Sequence, residues 1–312
     1  MSSISVNTIT DASGGATTSI NGFTPSVSNM AGRNRIINGG FDVWQRGTSH
    51  TYNNGDSGYH TADRWYSAAF VSGGTLTLSQ QTANNVGVDS EFFLRATTTG
   101  SVAAGSATVY SEYKIENLKQ FNNKNITLSF YIKANTNLSF QLRRHYYYGS
   151  GGSSEEYTSF SDVAVTTSWT RHTVTFPAQD FSAKTFGSSN YLGIMFYWST
   201  DQGTNQLNDA SIDIANVQLE EGSVATPFEH RQYGQELALC QRYYQIKYWY
   251  ESASQATTIP LAPDMRSNPT VTFSNIGWGG TPNSVFGVGL QWIGVTGATP
   301  VWSAECRCSA EL

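Results

Sequence analysis

The sequence predicts an all-β protein of sandwich or jelly-roll type, and three observations carry that expectation. Short segments from Ile36 onward alternate apolar and polar residues with a period of two. No helical period competes with them before the stretch near Gln235, and Gly, Pro, Asn and Ser punctuate the gaps. Only 13% of the residues are charged, about half the roughly 25% of an average soluble chain, and solubility rests on Ser, Thr, Asn and Gly, which suit strands and turns.

In chain order, residues 1 to about 30 hold few large apolar side chains. They cannot bury enough surface alone to offset the ordering entropy, so they read as an arm. The clearest strands follow at Thr75–Ser79, Ser106–Lys114, Ile126–Lys133, Leu138–Arg144, Thr170–Phe176 and Tyr191–Trp198. In the third, Leu128, Phe130 and Ile132 share one face and Ser129, Tyr131 and Lys133 the other. Leu138, Phe140 and Leu142 repeat this against Ser139, Gln141 and Arg143. One buried and one wet face is the pattern of an antiparallel sandwich.

Ile212, Ile214, Val217 and Leu219 give a last strand of this region with one uneven step, and Gly222 and Pro227 end it. The period then changes. Leu237, Cys240 and Tyr244, with Leu239 and Tyr243 beside them, make one apolar stripe on a helix over Gln235–Tyr244. At about 15 Å such a helix is too short to stand alone and must pack on a neighbour. Strand patterns resume over 256–263, 269–278, 284–295 and 301–310. In the last, Trp302, Ala304, Cys306 and Cys308 share one face. The division expected is an arm (1–32), a large β domain (33–229), a linking helix (230–246) and a small C-terminal β domain (247–312). The small domain has a marginal core, so support from another chain is expected.

Composition excludes some classes of function. The net charge of −5, with Lys and Arg scattered, gives no footprint for nucleic acid. No apolar run reaches the roughly 20 residues that cross a bilayer, and no secretory signal is read at the start, so no membrane insertion is expected. Three cysteines make no disulfide framework and fit assembly in a reducing cytoplasm. The five histidines are dispersed and match no catalytic or metal motif. Glu155–Glu156 and Glu220–Glu221 are adjacent and so point to opposite faces of a strand. Cys306 and Cys308 read as core thiols rather than a metal clip, and Cys240 as core. Catalysis is not expected.

Two runs carry a family resemblance. Arg33–Gly47 (RNRIINGGFDVWQRG), with Ala62–Trp65 (ADRW), resembles the opening of a jelly roll similar to carbohydrate-binding modules. Gln218–Tyr244 (QLEEGSVATPFEHRQYGQELALCQRYY) resembles the junction after that jelly roll in bacteriophage tail-fibre and related virion proteins. The resemblance narrows the large domain to a jelly roll. It implies a structural and adhesive virion protein, assembled in the host cytoplasm, homotrimeric, and joined to other tail or neck proteins through residues 1–30. Host-surface polysaccharide is the ligand it implies. A glycan depolymerase and a ligand-free spacer are the alternatives. No organic cofactor is expected. The resembled jelly rolls often hold a structural Ca²⁺, which places Asn38, Asp42 and Asp213 as candidate ligands, although Asn216 stands where an Asp is frequent.

The ligand candidate is the segment 143–160, RRHYYYGSGGSSEEYTSF. Tyr146, Tyr147 and Tyr148 offer stacking faces with polar tips, Arg143 offers hydrogen bonds, and the Gly/Ser run reads as a conformable loop. Tyr131 and Tyr197, on expected outer faces, extend it. The plainer reading is a surface loop whose tyrosines pack on neighbouring strands. Trp44 and Trp65 are expected in the core.

Overall fold

Nearly every period-two segment becomes a strand. The computed structural model describes residues 32–71, 73–83, 87–100, 108–200, 209–251, 256–275, 284–296 and 302–312; the expected arm over 1–30 lies outside them. The large domain begins with β1 (Ser49–Tyr52), β2 (Asp56–Gly58), β3 (Trp65–Phe70), β4 (Thr75–Thr82) and β5 (Phe92–Thr99). Next come β6 (Thr108–Glu116), β7 (Ile126–Ala134), β8 (Leu138–Tyr147) and β9 (Glu156–Tyr157). It closes with β10 (Ser161–Val165), β11 (Thr170–Phe176), β12 (Tyr191–Thr200) and β13 (Ser211–Glu221).

These strands form two antiparallel sheets. One runs β1-β4-β5-β13-β7-β11, and the other β10-β8-β12-β6-β3-β2 with β9 added to β8. The chain switches sheet at most connections, which gives the jelly-roll sandwich. Its core is aromatic: Trp65 meets Tyr113 and Phe196 edge-on at 5.2 and 5.4 Å, and Phe196 meets Phe130 at 5.9 Å. Leu128, Phe130, Ile132, Phe140 and Leu142 are all buried, as their alternation predicts.

The uneven step in β13 is a bulge. Register slips between Ala215 and Gln218, and Asn216 takes a left-handed φ of 50°. The opening run lies along this strand: Val217 N donates to Gly39 O (2.9 Å) and Arg35 N to Leu219 O (2.8 Å). A Cβ on Gly39 would stand 2.0 Å from Val217 O, so only glycine permits the approach. The opening run is also tied to the junction run. Gly32 N and Asn34 N donate to the two oxygens of Glu229, and Arg231 donates to Asn34 O and Ile36 O.

The helix differs from expectation. It spans Tyr233–Gln241, and Tyr244 already begins a strand. Its buried residues are Cys240 and Glu236, while Leu237 and Leu239 are only half-buried. The helix is therefore anchored by a carboxylate: Glu236 accepts from Asn38 N and from Arg231. Tyr243 and Tyr244 are buried, but in the turn and strand that follow.

The strands of the small unit begin at Tyr244. They are β14 (Tyr244–Glu251), β15 (Ala256–Pro260), β16 (Thr270–Asn275), β17 (Ser284–Val288), β18 (Trp292–Thr296) and β19 (Trp302–Ser309). Two three-stranded sheets, β14-β19-β16 and β15-β18-β17, close on Ile259, Ile293, Val295, Cys306 and Cys308.

Charge joins this unit to the jelly roll. Arg64, 1% exposed, pairs with Glu311, donates to Lys114 O (2.8 Å) and lies 3.4 Å over the Tyr243 ring. Arg46 pairs with the same Glu311 at 2.9 Å and lies 3.6 Å over Tyr244. Removing one partner of a buried pair leaves a charge stranded, at about 3–5 kcal/mol. Glu311→Gln is expected to lower the unfolding free energy by about that amount in urea titration. A change below about 1 kcal/mol would show that the guanidinium groups do not depend on it.

Candidate functional site

Strand parity assigns each side chain to a face. On β6, Val109, Ser111 and Tyr113 point into the core, and on β12 so do Leu192, Ile194, Phe196 and Trp198. Their alternates therefore face outward from the seven-stranded sheet: Tyr110, Glu112 and Lys114 on β6, and Tyr191, Gly193, Met195 and Tyr197 on β12. Register then places Tyr66, Glu112, Met195 and Arg143 in one row across four strands. Lys114, Gly193, His145 and Tyr157 make the next row. At about 4.8 Å per strand each row is about 14 Å long.

A band of aromatic rings crosses these rows. Tyr59, Tyr66, Tyr110, Tyr197 and Phe160 follow one another at centroid distances of 5.4, 6.5, 5.7 and 5.0 Å. Tyr191 and Tyr147 pair at 4.9 Å.

Charged groups are set among the rings. Glu112, 4% exposed, lies 2.7 Å from His145 Nδ1. His145 Nε2 lies 3.1 Å from Glu155 Oε2, and its ring stacks on Tyr157 at 4.3 Å. Arg143 lies 4.5 Å over Tyr157 and 5.2 Å over Phe160. Lys114 Nζ lies 4.5 Å over Tyr66 and donates to Leu312 O, so the small unit borders this end of the face. Burial pulls the Lys114 ammonium below its ordinary range, against the attraction of Glu112. Burial first, then Glu112, pushes the Tyr110 and Tyr191 hydroxyls up, so both stay neutral donors. Flat apolar faces, neutral hydroxyls, a carboxylate and two cations over one surface are the groups that hold a polyhydroxyl ligand.

Of the residues expected to bind, Arg143, Tyr147 and Tyr197 lie on this face. Tyr146 (4% exposed) and Tyr148 (0%) do not: β8 continues through Tyr147, and parity turns both into the core against Phe181. The expected tyrosine platform is therefore split. The Gly/Ser run is also ordered, with Ser153 N donating to Thr185 O and Gly187 N to Tyr148 O. Tyr131 is on the outer face of the opposite sheet, in a cluster with Phe93, Ala215 and Trp169, and cannot share a site with Tyr197. Glu112, Lys114, His145, Tyr66, Tyr110, Tyr157 and Tyr191 were not singled out from sequence. Counting by twos from the core positions of β6 and β8 would have found most of them.

Of the three residues expected around calcium, Asn38 and Asp42 lie in one turn against Glu236, and Asp213 has other partners. Asp213 accepts from Arg95 Nε and Nη2 at 2.7 and 2.8 Å and pairs with Lys133 at 3.5 Å, beside a shallow groove with Asn135 and Thr167. Asn38 Oδ1 accepts from Val43 N, and its Nδ2 donates to Val43 O and Asp63 O. Asp42 has its carboxyl raised by burial and then by Glu236 and Glu91. Two of the three have their oxygens committed to protein groups, which does not fit a cation that takes about six to eight oxygen ligands.

No protein-family description matches the chain, and no curated protein does. Among solved structures, the enzymatically active domain of tailspike protein 4 from bacteriophage CBA120 aligns with 61% of this chain and 22% of that one, at 12% identity and a TM-score of 0.37. A CBM4 structure aligns over 51% and 95%, at 17% identity and 0.33. The family 11 carbohydrate-binding module of the Clostridium thermocellum cellulase Lic26A-Cel5E aligns over 58% and 100%, at 16% identity and 0.33. Likeness of this degree concerns overall form and carries nothing about ligand or activity.

The face has one steric keystone. A Cβ on Gly193 would stand 2.2 Å from Glu112 Oε1 and 3.0 Å from His145 Cβ. Gly193→Ala is expected to displace the Glu112 carboxylate from His145 and to cost about 1–3 kcal/mol. Urea titration, with ¹⁵N spectra of the imidazole, checks this; a neutral substitution with unchanged ring signals contradicts it.

Proposed function

We propose that this chain is a structural and adhesive virion protein that binds host-surface polysaccharide along the outer face of the seven-stranded sheet. The observation that carries the reading is the pair of rows through Glu112 and His145, flanked by the tyrosine band. A chain of sugar rings presents alternating apolar faces and hydroxyl edges, which matches phenol rings interleaved with Glu112, Lys114 and Arg143. The virion setting, a homotrimer, and attachment through residues 1–30 come from the resemblance of the opening and junction runs. Those two runs are hydrogen-bonded to each other, which accords with their recurring together.

The face supports holding a glycan rather than cutting one. Glycoside hydrolysis needs two carboxylates on either side of the scissile bond. Here Glu112 and Glu155 stand on either side of the His145 ring, which fills the space where that bond would lie.

A glycan array followed by titration of the best hit tests the proposal. Arg143→Ala and Tyr157→Ala are expected to weaken binding at least about tenfold, the scale of one or two lost stacking or charged contacts, with melting little changed. Tyr131→Ala, on the other sheet, should leave affinity intact. A blank array, or equal losses in all three variants, would leave the spacer reading. Light scattering should give about three times the 34.1 kDa chain mass; a stable monomer at micromolar concentration rules out the trimer.

A further inference from the structure

The edge where β1 meets β2 holds a second constellation, outside the rows described above. His50 is on β1, in the six-stranded sheet, and Asp56 is on β2, in the seven-stranded sheet. His60 follows β2 by two residues. The turn at 53–55 therefore carries the chain from one sheet to the other, with one imidazole before it and one after. His50 Nε2 lies 2.8 Å from Asp56 Oδ2, and His60 Nε2 lies 3.7 Å from Asp56 Oδ1. The two rings stack at 4.3 Å with a tilt of 27°. Both direct the same ring nitrogen at one carboxylate, each toward a different oxygen.

We infer that His50 Nε2, His60 Nε2 and a carboxylate oxygen of Asp56 form a three-ligand site for a divalent transition-metal ion such as zinc, completed by water. One ligand atom from each residue lies within 4.8 Å of the others. Zinc–nitrogen bonds of about 2.1 Å in a tetrahedral site bring two ligand nitrogens to about 3.4 Å. The remaining contraction is within reach of side-chain torsions, because all three side chains are about one-third exposed. That exposure also admits the water that a three-ligand site needs. Two imidazoles and one carboxylate select zinc, cobalt, nickel or copper over magnesium and calcium, which take oxygen ligands.

A further feature supports this assignment. Gly58, at φ 149°, leaves the space His60 occupies: a Cβ there would stand 2.7 Å from His60 Nε2. The ring is thus placed by a backbone position that suits glycine. The bound ion would tie β1 to β2 and so clamp the two sheets at an edge where the direct link is a three-residue turn.

The test uses the full chain, stripped with EDTA and exchanged into chelator-free buffer. Calorimetric titration with zinc chloride should show one site of micromolar affinity, and cobalt(II) should give visible absorption bands of a four- or five-coordinate site. His60→Ala and Asp56→Asn should each weaken zinc binding at least tenfold and abolish the zinc-dependent rise in melting temperature. His230→Ala should change neither. Long-range ¹⁵N spectra of the wild-type chain provide a readout independent of folding in the variants: zinc should shift the Nε2 signals of His50 and His60. Absence of binding, or binding that leaves those two rings unshifted, overturns the assignment.

Discussion

A guanidinium group with almost no access to water organises this molecule. Arg64 sits at the start of β3, and a charge so enclosed is tolerated only with an anion and further acceptors in reach. The jelly roll supplies the Lys114 carbonyl, while the anion, Glu311, comes from beyond β19 at the far end of the chain. Folding of the first domain around Arg64 is thereby completed by the second. Arg46, Asp63 and Gln45 extend the same lattice, and the Tyr243 and Tyr244 rings cover it from the junction. Burial lifts the Asp63 carboxyl to about 6 even with Arg46 beside it, a measure of how little water reaches this seam. The junction run therefore acts as a lid over ions rather than as an apolar helix docked on a groove.

The same economy of water marks the candidate binding face. An outward face of an antiparallel sheet is ordinarily wet, yet Glu112 and His145 are nearly enclosed, with the rings of Tyr147, Tyr157 and Tyr191 against the imidazole. Crowding fixes the rings and the charged groups before any ligand arrives, and a preorganised surface loses less entropy on binding. The space for Glu112 exists only because residue 193 has no side chain. Rigid rings on a sheet, rather than a conformable loop, are the form in which this chain presents its tyrosines.

Much of this was legible in the sequence. Strand positions followed from alternation, and β11 matches its expected limits at both ends. The uneven spacing from Ile214 to Val217 foretold the bulge. The residues of the candidate face were harder to read for a physical reason. Alternation put Arg143 on the outer face, but an inward arginine interrupts the apolar pattern, so the strand read as ending at Arg144, which turns inward over Tyr146 and Phe176. With the strand cut there, Tyr146–Tyr148 read as one exposed cluster, and the Gly/Ser run reinforced the impression of a loop. The helix was misplaced by similar logic. Its stripe of Leu237, Cys240 and Tyr244 is apolar, but the residue that docks it is Glu236, and buried carboxylates leave no mark in a hydrophobic pattern. Residues that matter through register, such as Lys114 beside Gly193 and His145, are more than 30 positions apart in sequence on at least one side and meet only in the sheet.

The thiols have a practical consequence. All three cysteines are buried and unpaired, Cys240 in the junction helix and Cys306 and Cys308 on β19, and none lies in the jelly roll. Burial pushes the Cys306 and Cys308 thiols up to about 12 and about 11, and Cys240 upward as well, so the thiolate that alkylating reagents need is scarce in the closed state. Alkylation rate, followed by mass spectrometry, therefore clocks the opening of the junction helix and the C-terminal unit alone. The chain carries its own reporter for whether the distal part loosens before the jelly roll does.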